Sequence, residues 1–265
     1  MKIESVSTIS MESINILLYG PPGSGKTTQA SQFPSPLFLD FDKGLLGIRS
    51  SNSRHIPYHK MDPYSAWEEL KRDIPLLHAD LESKTIVLDS LTAAGEAAML
   101  YAQKLNNRIG KQPSFEDWDS YGNEVRSVIK DLRKIPKNLI VIAHEKLEQD
   151  KLLGAIYGLP LLPGKLAHRI FQLFDEVYHT QSLKDTKGGV SYVMNCKKDV
   201  FFDAKSRILK NEILSVSSYS DMMANLKQPL VAIPVPILAQ PPSPVQQVVA
   251  TADNIVSASA ESIMK

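Results

Sequence analysis

The stretch that decides the reading is Ile14-Asn15-Ile16-Leu17-Leu18-Tyr19-Gly20-Pro21-Pro22-Gly23-Ser24-Gly25-Lys26-Thr27-Thr28. An apolar run of strand character enters a glycine-rich turn and leaves it through Lys-Thr-Thr, which is the G-x-x-x-x-G-K-[ST] spacing between a strand and a helix. Gly20, Gly23 and Gly25 can take positive φ and let the backbone curl around a phosphate. The cradle is expected to run through Gly20, Pro21, Pro22, Gly23, Ser24, Gly25, Lys26, Thr27 and Thr28. The N–H groups of Gly23 to Thr28 would face inward at the start of a helix, where the dipole also favours an anion. Lys26 is expected to reach the β- and γ-phosphates, and the Thr27 hydroxyl to serve as a Mg²⁺ ligand. The motif therefore predicts a bound nucleoside triphosphate.

Outward from the motif, 265 residues accommodate one large α/β domain with a tail, and an apolar fraction of 43% supports a full core. A net charge of +1 gives no global electrostatic case for nucleic acid, so any such site must be local. The single Cys196 excludes an internal disulfide framework and a cysteine zinc cluster, as expected of a reducing cytosol. No apolar run nears the roughly 20 residues of a membrane helix. Met1-Lys2-Ile3-Glu4 lacks the layout of a signal peptide. These features predict a soluble, cytoplasmic protein without a membrane partner.

Residues 1–13 are mixed and polar and read as an arm, 14–227 as the core, and 228–265 as a proline-rich extended or disordered tail. Within the core, Thr27 to Phe33 predicts a short helix that Pro34 and Pro36 stop. Leu37-Phe38-Leu39 is a buried strand ending in Asp40-Phe41-Asp42, with carboxylates where open α/β sheets place ligands. Asp62-Pro63 opens a helix with Trp67, Leu70 and Ile74 on its apolar stripe. Thr85 to Ser90 is a third strand closing on Asp89, in the manner of a Walker B strand, and Asp89 would hold the Mg²⁺ directly or through water. A helix over Leu91 to Leu105 follows. Ser114 to Asp117 resembles a capping box, opening a helix whose core face is Trp118, Tyr121, Val125, Val128, Ile129, Leu132 and Ile135. Leu139 to Ala143 is a fourth buried strand that delivers His144 to the same edge. Residues 145–163 match neither period and read as a functional loop, and Lys184 to Gly189 as a hairpin turn.

Strands alternating with helices predict an α/β fold: a mostly parallel central sheet with helices on both faces and an antiparallel extension. Hydrolysis needs a group that orients the attacking water. Because Ser90 follows Asp89, that acid must lie elsewhere. Asp42 is the candidate, with Asp40 the alternative, and His144 could sense the γ-phosphate.

Gly20 to Thr28, Leu39 to Gly44, Ile86 to Thr92, Ile140 to Glu145, Leu162 to Lys165 and Ala204 to Arg207 together resemble the phage-encoded RecA-like P-loop ATPases, core-only relatives of RecA that include recombinases and single-strand annealing proteins. The resemblance covers residues 12 to about 215. It implies ATP and Mg²⁺ as ligands, a homo-oligomeric ring or filament with ATP between subunits, and action on single-stranded DNA, with a single-strand-binding protein as a further partner, in the host cytoplasm. It implies Asp42 as the catalytic acid, where the family usually has Glu, and places His144 where Gln is usual. Lys205 and Arg207 are similar to a Lys-x-Arg finger inserted into a neighbour's site. Two DNA loops are implied near Asn106 to Gln112 and Lys146 to Pro163, with Arg108, Lys111, Lys146 and Lys151 facing phosphates and Tyr157 stacking on a base. Two other functions stay open. One is a small-molecule kinase, against which no arginine-rich lid is found. The other is an ATP-dependent annealing switch with negligible hydrolysis.

Overall fold

The apolar run Asn15–Gly20 forms β1, and its residues alternate between two cores, Leu17 and Tyr19 on one side and Ile16 and Leu18 on the other. A strand buried on both faces needs a layer on each side, and the remaining elements supply them. The computed structural model describes residues 13–49, 51–149, 154–184, 189–209 and 213–215. The arm before residue 13 and the tail from 228 lie outside the described residues.

After β1 come α1 (Lys26–Ser31), β2 (Pro36–Asp40), β3 (Arg54–Ile56), α2 (Pro63–Ala79), β4 (Thr85–Asp89), α3 (Leu91–Leu105) and α4 (Phe115–Arg133). They are followed by β5 (Asn138–Gln149), β6 (Ile156–Pro160), α5 (Leu166–Arg169), β7 (Glu176–Lys184), β8 (Val190–Asn195) and β9 (Ile213–Ser215). The strand order is β3-β2-β4-β5-β1-β7-β8-β9, with β6 off this path and paired to β5. Strands β3 through β7 in that order run parallel, and β8 and β9 extend the sheet antiparallel. This is an α/β sheet, mostly parallel, with an antiparallel extension. Trp67 and Leu70 of α2, Ala94 and Ala98 of α3, and Tyr121, Val125 and Ile129 of α4 cover one face. Ala30 of α1, with Phe33 and Ile48, covers the other.

Local signals set the element ends. Pro63 occupies the first turn of α2 behind Asp62. At α4 the capping box closes in both directions, with the Ser114 N–H donating to Asp117 Oδ2 at 2.7 Å and the Asp117 N–H to Ser114 Oγ at 3.4 Å.

Two expectations are corrected. Trp118 is not core: it is 41% exposed and rests edge-on against Tyr121, because the first turn of α4, Phe115 included, stands open to solvent. The described residues of 145–163 are not an irregular loop. β5 runs on to Gln149 and pairs antiparallel with β6, Glu145 opposite Pro160 and Gln149 opposite Ile156. The half-buried, two-sided character of that hairpin hides the period-2 alternation on which strand assignment depends. Among the described residues no helix is long and apolar enough to cross a membrane.

Candidate nucleotide site

Because the parallel strands all end at one edge, register decides which residues meet there. Gly20 pairs with His144, and Asp40 with Asp89. β5 lies between β1 and β4, so the His144 end of the sheet sits between the phosphate loop and the Asp89 strand.

The loop itself takes the backbone its glycines permit. Gly23 and Gly25 have φ of 74° and 87°, in the left-handed region that other residues avoid. Gly20 is required for space as well, since a Cβ there would lie 2.2 Å from the carbonyl oxygen of Thr180 on β7. Thr180 also supports the loop from below: its Oγ1 is 2.7 Å from Ser24 Oγ and donates to the Tyr19 carbonyl at 3.3 Å. Nothing in the sequence signals this threonine, because it arrives from a strand 160 residues downstream of Gly20. The first main-chain bond of α1 is donated by Gln29 to the Gly25 carbonyl at 2.8 Å, so the N–H groups of Lys26 to Thr28 have no acceptor within the helix.

Lys26 is almost fully buried, and its ammonium donates to the carbonyls of Gly20 and Pro21 and to Ser24 Oγ at 2.8–3.3 Å. Burial lowers its pKa to about 8, against the opposing pull of Asp89, Glu145 and Asp42. Thr27 Oγ1 donates to Asp89 Oδ2 at 2.9 Å. Burial raises Asp89 to about 6, with Asp42 and Asp40 adding to the rise and the Thr27 bond opposing it. Two hard oxygens side by side suit Mg²⁺, which takes one or two protein ligands and fills its shell with phosphate and water. Among the described residues no group of three or more His, Cys, Asp or Glu could hold a metal ion.

Asp42 and His144 meet although 102 positions apart, with Nε2 and Oδ2 separated by 2.7 Å. Both line a cleft of about 430 Å³ together with residues 22–28, Asp89 and Tyr192. His144 is fixed at the main chain: its N–H donates to Thr92 Oγ1 at 3.0 Å and its carbonyl accepts from the Leu161 N–H at 2.7 Å. Asp40 does not line the cleft. It is buried, accepts from the Lys43 N–H at 2.8 Å and lies 3.1 Å from His59 Nδ1, so it shapes the turn that presents Asp42. Tyr192, on the hairpin strand β8, was not foreseen as part of the cleft.

The other candidate residues are placed elsewhere. Lys205 exchanges both main-chain bonds with Val177, and burial, then Arg207, lowers its pKa. Arg207 reaches Asp175 at 3.0 Å. Neither lines this subunit's cleft, so any contact with a γ-phosphate would have to be made to a second copy. Arg108 is bound to the buried carboxylate of Asp117 at 3.0 Å and to the Gln112 carbonyl. Lys146 pairs with Glu148 at 2.5 Å, and the Tyr157 hydroxyl lies 3.5 Å from Glu148. Lys111 is exposed and makes no ion pair among the described residues. Lys151 lies outside them.

Residues 12–208, most of the chain, match the AAA domain family. The chain belongs to that family. A stretch of 148 residues of this AAA domain is 29% identical to the SPbeta prophage-derived uncharacterized protein YorG of Bacillus subtilis (strain 168), covering 53% of this chain and 43% of the relative's length. Among solved structures, the flagellar accessory protein FlaH from Methanocaldococcus jannaschii is 14% identical with a TM-score of 0.43, covering 76% of this chain and 84% of that one. The KaiC-like protein PH0186 from Pyrococcus horikoshii OT3 is 14% identical with a TM-score of 0.45, covering 76% and 89%. Likenesses this distant say nothing of the chemistry of the AAA domain, which rests on its own residues.

Proposed function

We propose that this AAA domain binds ATP with Mg²⁺ and hydrolyses it to ADP and phosphate, in a homo-oligomeric ring or filament whose neighbouring copies complete each site. The observation that carries the proposal is the Asp42–His144 pair, which faces the cleft beside the Thr27–Asp89 pair and the Lys26 ammonium. Lys26 would exchange its loop carbonyls for phosphate oxygens, which make stronger, charge-assisted acceptors. Thr27 and Asp89 would hold Mg²⁺, which supplies neutralisation of charge on the phosphoryl oxygens. Asp42 has one oxygen engaged by His144, leaving the other to orient a water molecule and accept its proton. His144 is the positioning residue for that carboxylate. Lys205 and Arg207 of a second copy would stabilise charge developing on the γ-phosphoryl group.

The cycle is further proposed to control a grip on single-stranded DNA, during phage recombination, annealing or replication in the host cytoplasm. The family resemblance supports this step, and the prophage-derived relative supports its phage setting alone. The organisation into an arm (1–13), a core (14–227) and a tail (228–265) forms part of the same proposal. A second reading, a DNA-binding switch with negligible hydrolysis, has an observation of its own: the Asp42 carboxylate is already partly occupied by His144.

Phosphate release from ATP, with and without single-stranded DNA, tests the proposal on wild type, Lys26→Ala and Arg207→Ala. DNA-stimulated release that both variants lose is the expected result. Turnover only on addition of a phosphate acceptor would replace the proposal with a kinase, and tight DNA binding without turnover would leave the switch. Failure of Lys26→Ala subunits, which retain Arg207, to restore turnover to Arg207→Ala subunits on mixing would remove the trans role alone.

A further inference from the structure

On the helical face of the sheet, remote from the phosphate loop, a groove of about 460 Å³ runs between the open first turns of α4 and the segment that follows β6. Its α4 wall includes Phe115, Trp118, Asp119, Gly122 and Arg126 beside the buried Tyr121, the five spaced at three, four, seven and eleven positions from Phe115 so that they share one helix face. Phe115 is 88% exposed and Trp118 41% exposed, far more aromatic surface than a stray exposed side chain presents. The opposite wall carries Lys165 and Arg169. Arg126, Lys165 and Arg169 make no ion pair among the described residues, whereas Asp119, the one carboxylate of the lining, accepts from Asn123 Nδ2 at 3.2 Å. The Arg126 guanidinium lies 3.7 Å from where a Cβ on Gly122 would stand and donates from Nη2 to Asn123 Oδ1 at 2.7 Å.

Exposed aromatic rings beside unpaired cations are the elements that hold a single strand: rings stack on bases, and cations follow the phosphates. An acidic or apolar peptide would not need both. We propose that this groove is the single-stranded DNA surface of the protein, with bases on Phe115 and Trp118 and phosphates on Arg126, Lys165 and Arg169. The choice of DNA rests on the function proposed above. The groove also replaces the contacts expected of Arg108 and Lys146, whose charges are spent on Asp117 and Glu148. Its second wall begins at Pro163, two residues after Leu161, whose N–H is bonded to the His144 carbonyl, so the nucleotide cleft and the groove are joined by a continuous stretch of main chain.

The chain has two tryptophans, and Trp67 is fully buried, so fluorescence quenching by an oligo-dT titrant reads Trp118. With the full-length protein and an ATP analogue bound, the expected result is quenching whose affinity falls with salt at a log–log slope of about −2 for three phosphates. Phe115→Ala should weaken binding about tenfold or more, and Phe115→Tyr should restore it. Arg169→Gln should reduce the slope by about 0.7. Both Phe115→Ala and Arg169→Gln should still bind a fluorescent ATP analogue. Wild type that binds the oligonucleotide while these variants bind it equally well would overturn the groove and leave the DNA partner standing. Wild type that binds no single strand, with or without ATP, would remove both, leaving the ATPase to be decided by phosphate release. Variants that change the oligomer size in light scattering but not DNA affinity would make the groove a contact between copies. Tighter binding of single-stranded RNA than of DNA of equal length would overturn the choice of DNA.

Discussion

Asp89→Asn should make the nucleotide-free protein more stable while abolishing its response to Mg²⁺ and ATP. Asp89 is 3% exposed, and burial lifts its pKa from 3.8 to about 6, so the folded state penalises its charge. A rise of roughly two pH units at about 1.4 kcal/mol each gives a ceiling of about 3 kcal/mol. Asparagine can still accept the Thr27 hydroxyl, but its amide N–H₂ brings donors without an evident partner, at about 1 kcal/mol. The net expectation at pH 7.5 is a gain of about 1–2 kcal/mol. The sign follows from linkage: below pH 4 the carboxyl is neutral folded and unfolded and the penalty vanishes. Between pH 4 and 6 the folded state holds the extra proton, so wild-type stability falls as pH rises, and above pH 6 the penalty is constant. Urea unfolding with a chelator present, run at intervals from pH 4 to 8, measures the difference between the two proteins directly. A difference that stays flat from pH 4 to 6, or that favours wild type at pH 7.5, would refute the assignment of a buried, charge-penalised carboxylate. With Mg²⁺ and ATP at a hundredfold excess over Kd, wild type should gain about 2.7 kcal/mol and Asp89→Asn almost none.

Substitutions at Gly20, Asp42, His144 and Gly158 test other parts of the structure. Gly20→Ala places a Cβ 2.2 Å from a main-chain oxygen that cannot swing away, so it should cost about 3 kcal/mol or more by thermal or urea unfolding; a loss under 1 kcal/mol would show that β7 yields there. Asp42→Asn should cut steady-state phosphate release by about 10²–10⁴ while ATP affinity, measured by equilibrium binding, stays within about threefold. His144→Ala should lower turnover less than Asp42→Asn, and the double variant should be no worse than Asp42→Asn alone, as expected when one residue acts through the other. Gly158→Ala brings a Cβ to 1.9 Å from Glu145 Oε1, the atom that lies 2.8 Å from the buried His179 Nε2. Displacing that carboxylate should cost about 1–3 kcal/mol, read as a lowered urea midpoint, with Gly158→Ser no better.

How much of this was legible beforehand depends on the range of the signal. The phosphate loop, the Asp62-Pro63 and Ser114–Asp117 helix starts, the α3 limits and the buried strands depend on residues within a few positions of one another, and all of them could be read from the chain. Trp118 was misplaced because helical period names a face but not whether another layer reaches that far along it. The β5–β6 hairpin was missed because its strands are half-buried on both sides, so neither period dominates.

The sequence by itself determined the phosphate cradle, the acids at the strand ends and the α/β class, since glycine freedom, capping and hydrophobic alternation are local properties of the chain. Only the tertiary structure decided that β5 enters between β1 and β4, which brings His144 against Asp42 across 102 residues. It also placed Thr180 under the loop and Tyr192 on the cleft wall, and it left Arg126, Lys165 and Arg169 without an ion pair among the described residues while Arg108 and Lys146 were neutralised. Such pairings follow from strand order and register, which are set by the packing of the whole sheet between its two cores rather than by any segment within it.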